Sequence, residues 1–257
     1  MLNSLTDELP IIQQGSGDPV LIFLHYFSGS SASWQWVTEI LKTEFCCVAP
    51  DLPGFGSAPS LEKPSLKGYS DYVVKIVERL GIDRCVLIGH SMGGKIALQV
   101  AADNRIKGLE RVVLVAPSPV TQEPMPQEER ERLLENHPSE ENAATTVDSA
   151  SQSPLPRLRR MVAIKTHTKA DDLAWRWWLL EGMNHSIADQ MGQIRVPVSV
   201  IASKQDPVIP FETIKKEVVD LIPQATLIEL SGVGHLIPLE APQKIAQQVR
   251  KLVQQTH

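Results

Sequence analysis

Cysteine is scarce, three in 257 residues. Cys46 and Cys47 are adjacent and Cys85 lies inside an apolar run, so neither a disulfide framework nor a metal-binding knuckle can be drawn. All three read as buried small hydrophobes. No apolar run approaches the ~20 residues that a membrane-spanning helix needs, which excludes an integral helical membrane protein. Positive charge is in deficit, with 25 Lys and Arg against 30 Asp and Glu and a net charge of −5. No basic excess is there to neutralise a phosphate backbone, and nucleic acid is not an expected partner. The opening stretch MLNSLTDELPIIQQ carries Asp7 and Glu8 where a secretory peptide has a basic flank and an apolar core, so a cytoplasmic location is expected. No Walker loop, dinucleotide glycine fingerprint or metal-ligand cluster appears, so no cofactor and no metal is implied. The chain is nonetheless long enough to bury one large core without a covalent staple.

What is present is a rhythm. Short apolar runs bounded by turn signals recur at Pro19 to Leu24, Phe45 to Ala49, Cys85 to Ile88, Val112 to Val115, Val196 to Ala202 and Thr226 to Leu230. They are continuous and rich in Val, Ile and Leu, the pattern of strands covered on both faces in a parallel sheet. Between them apolar residues return at helical spacing: Trp34, Val37, Ile40 and Leu41; Tyr72, Val73, Ile76 and Leu80; Ile96, Leu98, Val100 and Ala101; Ile245, Val249 and Leu252. The alternation predicts an α/β protein, a doubly wound, mostly parallel sheet with right-handed crossovers. One stretch breaks the rhythm. Residues 118–194 begin with crowded prolines, acids and Ser/Thr and end in the cluster Trp175, Trp177 and Trp178. They are expected to form a helical cap over the carboxyl edge of the sheet, where open α/β folds bind ligands, with residues 1–117 and 195–257 as the core.

The chemistry-bearing motif is Gly89-His90-Ser91-Met92-Gly93, followed by Gly94, between a strand and a helix. Glycines two before and two after the serine leave room for a sharp strand-to-helix turn that presents Oγ at the strand end. The helix then aims its N-terminus and the Met92 amide at the space in front of Ser91, where an oxyanion would form. A neutral serine needs a histidine base and an orienting carboxylate. Asp206, just past one strand, and His235, just past the next, supply both in the order Ser, acid, His. No rival acid appears in Ala116-Pro117-Ser118-Pro119. His90 is expected to pack beneath the turn and His25 to brace its own loop. Trp34 and Trp36 are expected in the core, and Glu128, Glu129 and Glu131 on a solvated helix face.

With these residues the chain resembles the α/β-hydrolase fold superfamily over essentially its whole length. Further segments carry the resemblance: Leu24-His25-Tyr26-Phe27-Ser28-Gly29-Ser30, Asp51-Leu52-Pro53-Gly54-Phe55-Gly56-Ser57, Asp206-Pro207-Val208-Ile209-Pro210, and Gly234-His235 with Glu240-Ala241-Pro242. The resemblance implies a cap inserted after the sixth strand and a second oxyanion-hole amide at Phe27, partnering Met92. It also exposes a departure, because the family has glycine after that histidine where this chain has Tyr26. Either the loop tolerates a side chain there or the tyrosine enters the pocket. A serine nucleophile sets the chain apart from dehalogenase and epoxide-hydrolase relatives, which use aspartate. The expected activity is that of a cytoplasmic serine hydrolase acting on carboxylic esters or related small-molecule acyl compounds, with no nucleic-acid or membrane partner. Carbon–carbon bond hydrolysis and cofactor-free perhydrolysis use the same triad, and a small-molecule receptor with negligible turnover is the alternative of another class.

Two expectations concern the cap and the rate. Asp171 and Asp172 open a helix on which Trp175, Trp178 and Leu179 form one stripe while Trp177 points elsewhere. Trp175 or Trp178 is expected to face Ser91, and the Ser/Thr-rich stretch 143–153 to be a mobile entrance. The rate is expected to rise through a pKa near ~6 to 7 as His235 loses its proton.

Overall fold

The computed structural model describes residues 10–254; Asp7 and Glu8, on which the expectation of no secretory segment rests, lie outside them. Seven strands are found among the described residues: β1 (Ile11–Gln14), β2 (Val20–Leu24), β3 (Cys47–Pro50), β4 (Cys85–His90), β5 (Leu109–Val115), β6 (Val198–Ser203) and β7 (Thr226–Leu230). They pair in the order β1-β3-β2-β4-β5-β6-β7, parallel throughout except for the antiparallel β1–β3 pair. Six of the seven coincide with the apolar runs of the sequence. β1 does not, because IIQQ is short, half polar and only partly buried at the sheet edge, so it lacks the continuous apolar signature.

The reason for that signature is visible in the packing. Along β2, Ile22 and Leu24 point into the larger core while Leu21 and Phe23 point into the one behind the sheet. The strand therefore buries both rows of its side chains. The larger core lies under α2 (Leu66–Arg79), α3 (Met92–Asp103) and α8 (Phe211–Glu217), the other under α1 (Gln35–Leu41) and α10 (Pro242–Gln254). Cys46, Cys47 and Cys85 are free and buried, and Trp34 is buried in the rear core, whereas Trp36 is only half-buried with Arg159 over its ring.

Between β5 and β6 run α4 (Gln127–Glu135), α5 (Glu140–Ser149), α6 (Arg157–Thr168), α7 (Asp172–Leu180) and two short 3-10 turns. The excursion leaves after the fifth described strand, not the sixth, because only β1 precedes β2. Its supposed mobile entrance is also largely helix. Ser139 caps α5 by accepting from the Asn142 amide, and Thr145 and Thr146 return their hydroxyls to the carbonyls of Glu141 and Asn142. The Ser/Thr content thus serves the helix instead of breaking it.

Candidate active site

Ser91 stands between β4 and α3 with φ 52° and ψ −117°, a left-handed backbone that a side chain adopts only at a cost of roughly 1–3 kcal/mol. Surrounding bonds hold it there. Its N–H donates to the Val115 carbonyl at 3.1 Å, and its carbonyl accepts from Gly94 at 2.8 Å and Ser118 at 3.1 Å. A Cβ on Gly93 would lie 2.4 Å from the Leu24 carbonyl oxygen, so the helix can approach β2 this closely only with glycine there. Met92, at the first position of α3, has an amide with no acceptor inside the helix.

The loop after β2 is built around His25. Its Nδ1–H donates to the Tyr26 carbonyl at 2.8 Å, and its Nε2 accepts the Leu52 amide at 3.0 Å, which fixes one neutral tautomer. Burial lowers its pKa to about 4. The Gly29 amide closes a turn onto the same Tyr26 carbonyl, with Phe27 and Ser28 between them and Ser28 at φ 68°. Tyr26 itself needs no positive φ. Its ring turns inward against His90, 5.1 Å between centroids, into space that a side chain on Gly29 would occupy.

Asp206 and His235 meet behind the serine. Asp206 Oδ1 accepts the amides of Val208 and Ile209 at 2.8 and 2.9 Å, and its Oδ2 accepts His235 Nδ1–H at 2.8 Å. The carboxylate is thereby aimed from its own loop. Burial disfavours a charged His235, but the charge and hydrogen bond of Asp206, with Glu123 and Glu240 beyond, outweigh it and raise the ring's pKa above its ordinary value. Two further contacts fix the histidine's backbone. His90 Nε2 donates to the His235 carbonyl at 2.9 Å, and the His235 amide donates to the Ala150 carbonyl at the end of α5 at 2.8 Å. His90 lies beneath the turn, its pKa driven well down by burial and by the neighbouring His235. Glu240 accepts both the Gly234 and the Gln152 amides, tying the histidine loop to the inserted segment.

A cavity of about 480 Å³ opens in front of Ser91 and His235, walled by Tyr26, Phe27, Leu133 and Trp178 among others. Trp175 is not in that wall, contrary to expectation. It is fully buried one layer back, stacked on His137 at 4.1 Å and tilted against Phe27 at 4.4 Å, with Nε1–H on the Leu133 carbonyl. Trp177 turns the other way, onto Tyr69. A larger, more open hollow of about 640 Å³ along α6 contains none of the chemistry-bearing residues.

Two wall residues escape the sequence reading. His167 is buried in the wall with neither ring nitrogen hydrogen-bonded to a described residue, and burial lowers its pKa to about 3. Glu123 is an acid in the loop after β5, four residues beyond the stretch that holds none. It is 6% exposed and accepts the Ser118 hydroxyl, while its amide donates to the Met183 carbonyl. Burial raises its pKa, against the pull of Ser118, His235 and Lys95. Its surroundings TQEPMPQ carry no periodicity, so nothing in the sequence marks it for burial.

The chain is similar to the dihydrolipoyllysine-residue acetyltransferase component of the acetoin cleaving system, 35% identical over 106 residues in Cupriavidus necator and 26% over 255 residues in Pseudomonas putida. Those alignments take in 41% and 91% of this chain but only 28% and 63% of the relatives' lengths. Among solved structures it superposes on an esterase from Exiguobacterium antarcticum with a TM-score of 0.87 at 16% identity, over 95% of this chain and 94% of that one. It superposes likewise on a bromoperoxidase from Bacillus anthracis (0.85, 14% identity, 95% and 94%) and a meta-cleavage product hydrolase from Pseudomonas fluorescens (0.80, 19% identity, 96% and 94%). At such identities these likenesses show the fold alone. The family model matches residues 21–248, from β2 into α10, and the chain belongs to the alpha/beta hydrolase family.

Proposed function

We propose that the protein is a serine hydrolase that cleaves carboxylic esters or related acyl compounds through Ser91, His235 and Asp206. The observation that carries this reading is the strained Ser91 opening on the same cavity as His235, whose Nδ1 is held 2.8 Å from Asp206. In this reading His235 Nε2 takes the Ser91 proton as Oγ attacks the acyl carbon, and Asp206 holds the imidazole tautomer. The Met92 and Phe27 amides receive the oxyanion. The protonated His235 then releases the leaving group, and a water attacks the acyl-serine with His235 again as base. Residues 118–194 act as the cap that closes the cavity.

Carbon–carbon hydrolysis and perhydrolysis share these groups, and no residue of the cavity favours either over ester cleavage. A panel of nitrophenyl esters of increasing acyl length, with a thioester, a lactone and a peroxide assay beside it, separates them. Ser91→Ala is expected to lower turnover by roughly 10³-fold or more, as loss of a nucleophile does, with the fold intact by circular dichroism. A fluorophosphonate that labelled this variant as strongly as the parent would overturn the assignment of Ser91.

A further inference from the structure

The wall of the cavity is chemically lopsided. Among the described residues its side chains of acid or base character are Glu123, Glu129, His167, His235 and Tyr26, with no lysine or arginine. Glu129 is already matched, both carboxylate oxygens taking hydrogen bonds from Arg132. Glu123 is not. One of its oxygens receives the Ser118 hydroxyl, and Oε1 has no partner among the described residues. The one buried cation nearby, Lys95, spends its Nζ on the carbonyls of Thr121 and Met183 at 2.9 and 3.3 Å and makes no ion pair with Glu123. A carboxyl nine-tenths buried in the cavity wall, with one oxygen that the protein itself does not pair, is left to water or to a donor that a ligand brings into the cavity.

Its position says where that donor would sit. Ser118, which holds Glu123, also donates its amide to the Ser91 carbonyl at 3.1 Å, so the carboxyl is tied through one residue to the backbone of the nucleophile. We propose that Glu123 forms an acidic subsite of the catalytic cavity that selects substrates carrying an ammonium or hydroxyl group and disfavours anionic ones. The proposal deepens the hydrolase reading by naming a substrate class, and it rests on that reading only in taking this cavity as the one that substrate enters. A charged hydrogen bond made in a site that excludes water discriminates strongly against a ligand that lacks the donor, and more strongly against one that brings a second negative charge.

The test needs no turnover. Binding of pentylammonium, pentanol and pentanoate, equal in length and different in charge, is measured by calorimetry at about pH 8, where the amine is protonated. The parent is expected to bind them in that order, with roughly tenfold or more between the first and the last. Glu123→Gln keeps the shape and the contact with Ser118 but removes the charge. It is expected to reduce the preference for pentylammonium over pentanol by about tenfold. Pentanoate binding to the parent as tightly as pentylammonium would overturn the proposal, whether or not the variant folds. An unchanged preference in folded Glu123→Gln would overturn it as well. Ester turnover and its loss in Ser91→Ala are read separately, so a failed hydrolase reading would leave this binding order intact, and a failed subsite would leave turnover intact.

Discussion

At the scale of single residues, the candidate site depends on hydrogen bonds that each leave one atom free for chemistry. Asp206 uses one oxygen on its own loop and gives the other to His235, and His90 holds the His235 carbonyl from below, so the imidazole's remaining nitrogen is the group left to act. Acylation in the proposed mechanism needs neutral His235, and the charge of Asp206 raises the ring's pKa despite its burial. The pH dependence of kcat/KM is therefore expected to rise through a pKa above that of free imidazole, on the alkaline side of the unperturbed expectation. Asp206→Asn is expected to move that limb to lower pH and to depress the rate by about 10³- to 10⁴-fold, measured on one neutral ester across the pH range. A limb that stayed in place would mean another carboxylate orients the ring, and Glu123, the nearest in the cavity wall, makes no hydrogen bond to it. The three residues are legible in the sequence because each stands at a strand end in its own turn chemistry. Glu123 and His167 are not, because their burial comes from contacts between segments far apart in the chain.

At the scale of elements, α7 shows what helical spacing can and cannot say. Asp171 caps it by accepting from the Leu173 and Ala174 amides, as its place before the apolar stripe indicates. Trp175 and Trp178 do share a face, and both contact Phe27, at 4.4 and 6.3 Å between rings. Spacing fixes the face but not the depth. The start of the helix packs deeper, against the Leu133 carbonyl and His137, while Trp178, one turn on, reaches the cavity. The two should respond differently to truncation. Trp178→Ala is expected to shift the acyl-length optimum upward, each added methylene changing the selectivity by no more than about 1–3 kcal/mol. Trp175→Ala is expected to cost about 3–5 kcal/mol of stability and to lower rates for all acyl lengths together, since Phe27 loses its backing. Melting temperatures and acyl profiles of both variants check this. A profile unmoved in Trp178→Ala would remove that residue from the substrate wall.

At the scale of the whole molecule, the described loops that follow β2, β4, β5, β6 and β7 converge on one cavity, and the helices between β5 and β6 are fastened over it. The fastening is partly backbone, Asp171 to Gly54 and His235 to Ala150, and partly the Glu240 carboxylate, which accepts the Gln152 amide. A Cβ on Gly234 would come within 2.6 Å of the Gln152 amide nitrogen, so the loop carrying His235 can touch the insertion only through glycine. The fold buries several histidines in the neutral state, His25 and His90 in the core and His167 in the insertion, and acid should undo it. The pKa of His25 is lowered to about 4 and that of His167 to about 3, with His90 also well below the ordinary value. In the unfolded chain all three bind a proton near pH ~6.5. Below that pH the unfolded state holds more protons than the folded one, so stability falls as pH drops, by at most about 1.4 kcal/mol per pH unit for each group. His235, whose pKa is raised, gains stability as pH falls toward ~6.5 and is protonated in both states below it, so it opposes only the first part of the descent. The lowered carboxylates, Asp51 among them, act only at still lower pH. Urea midpoints at about pH 7, 6 and 5 are therefore expected to fall, because the lowered histidines outnumber the buried carboxyls Glu123 and Glu240, whose raised pKa values oppose them. His167→Phe isolates one contribution. It replaces a buried ring lacking hydrogen-bond partners by an apolar one, so stability near neutral pH is expected to hold or rise while the acid slope becomes shallower. An acid slope as steep in His167→Phe as in the parent would show that this histidine does not enter the folded state neutral.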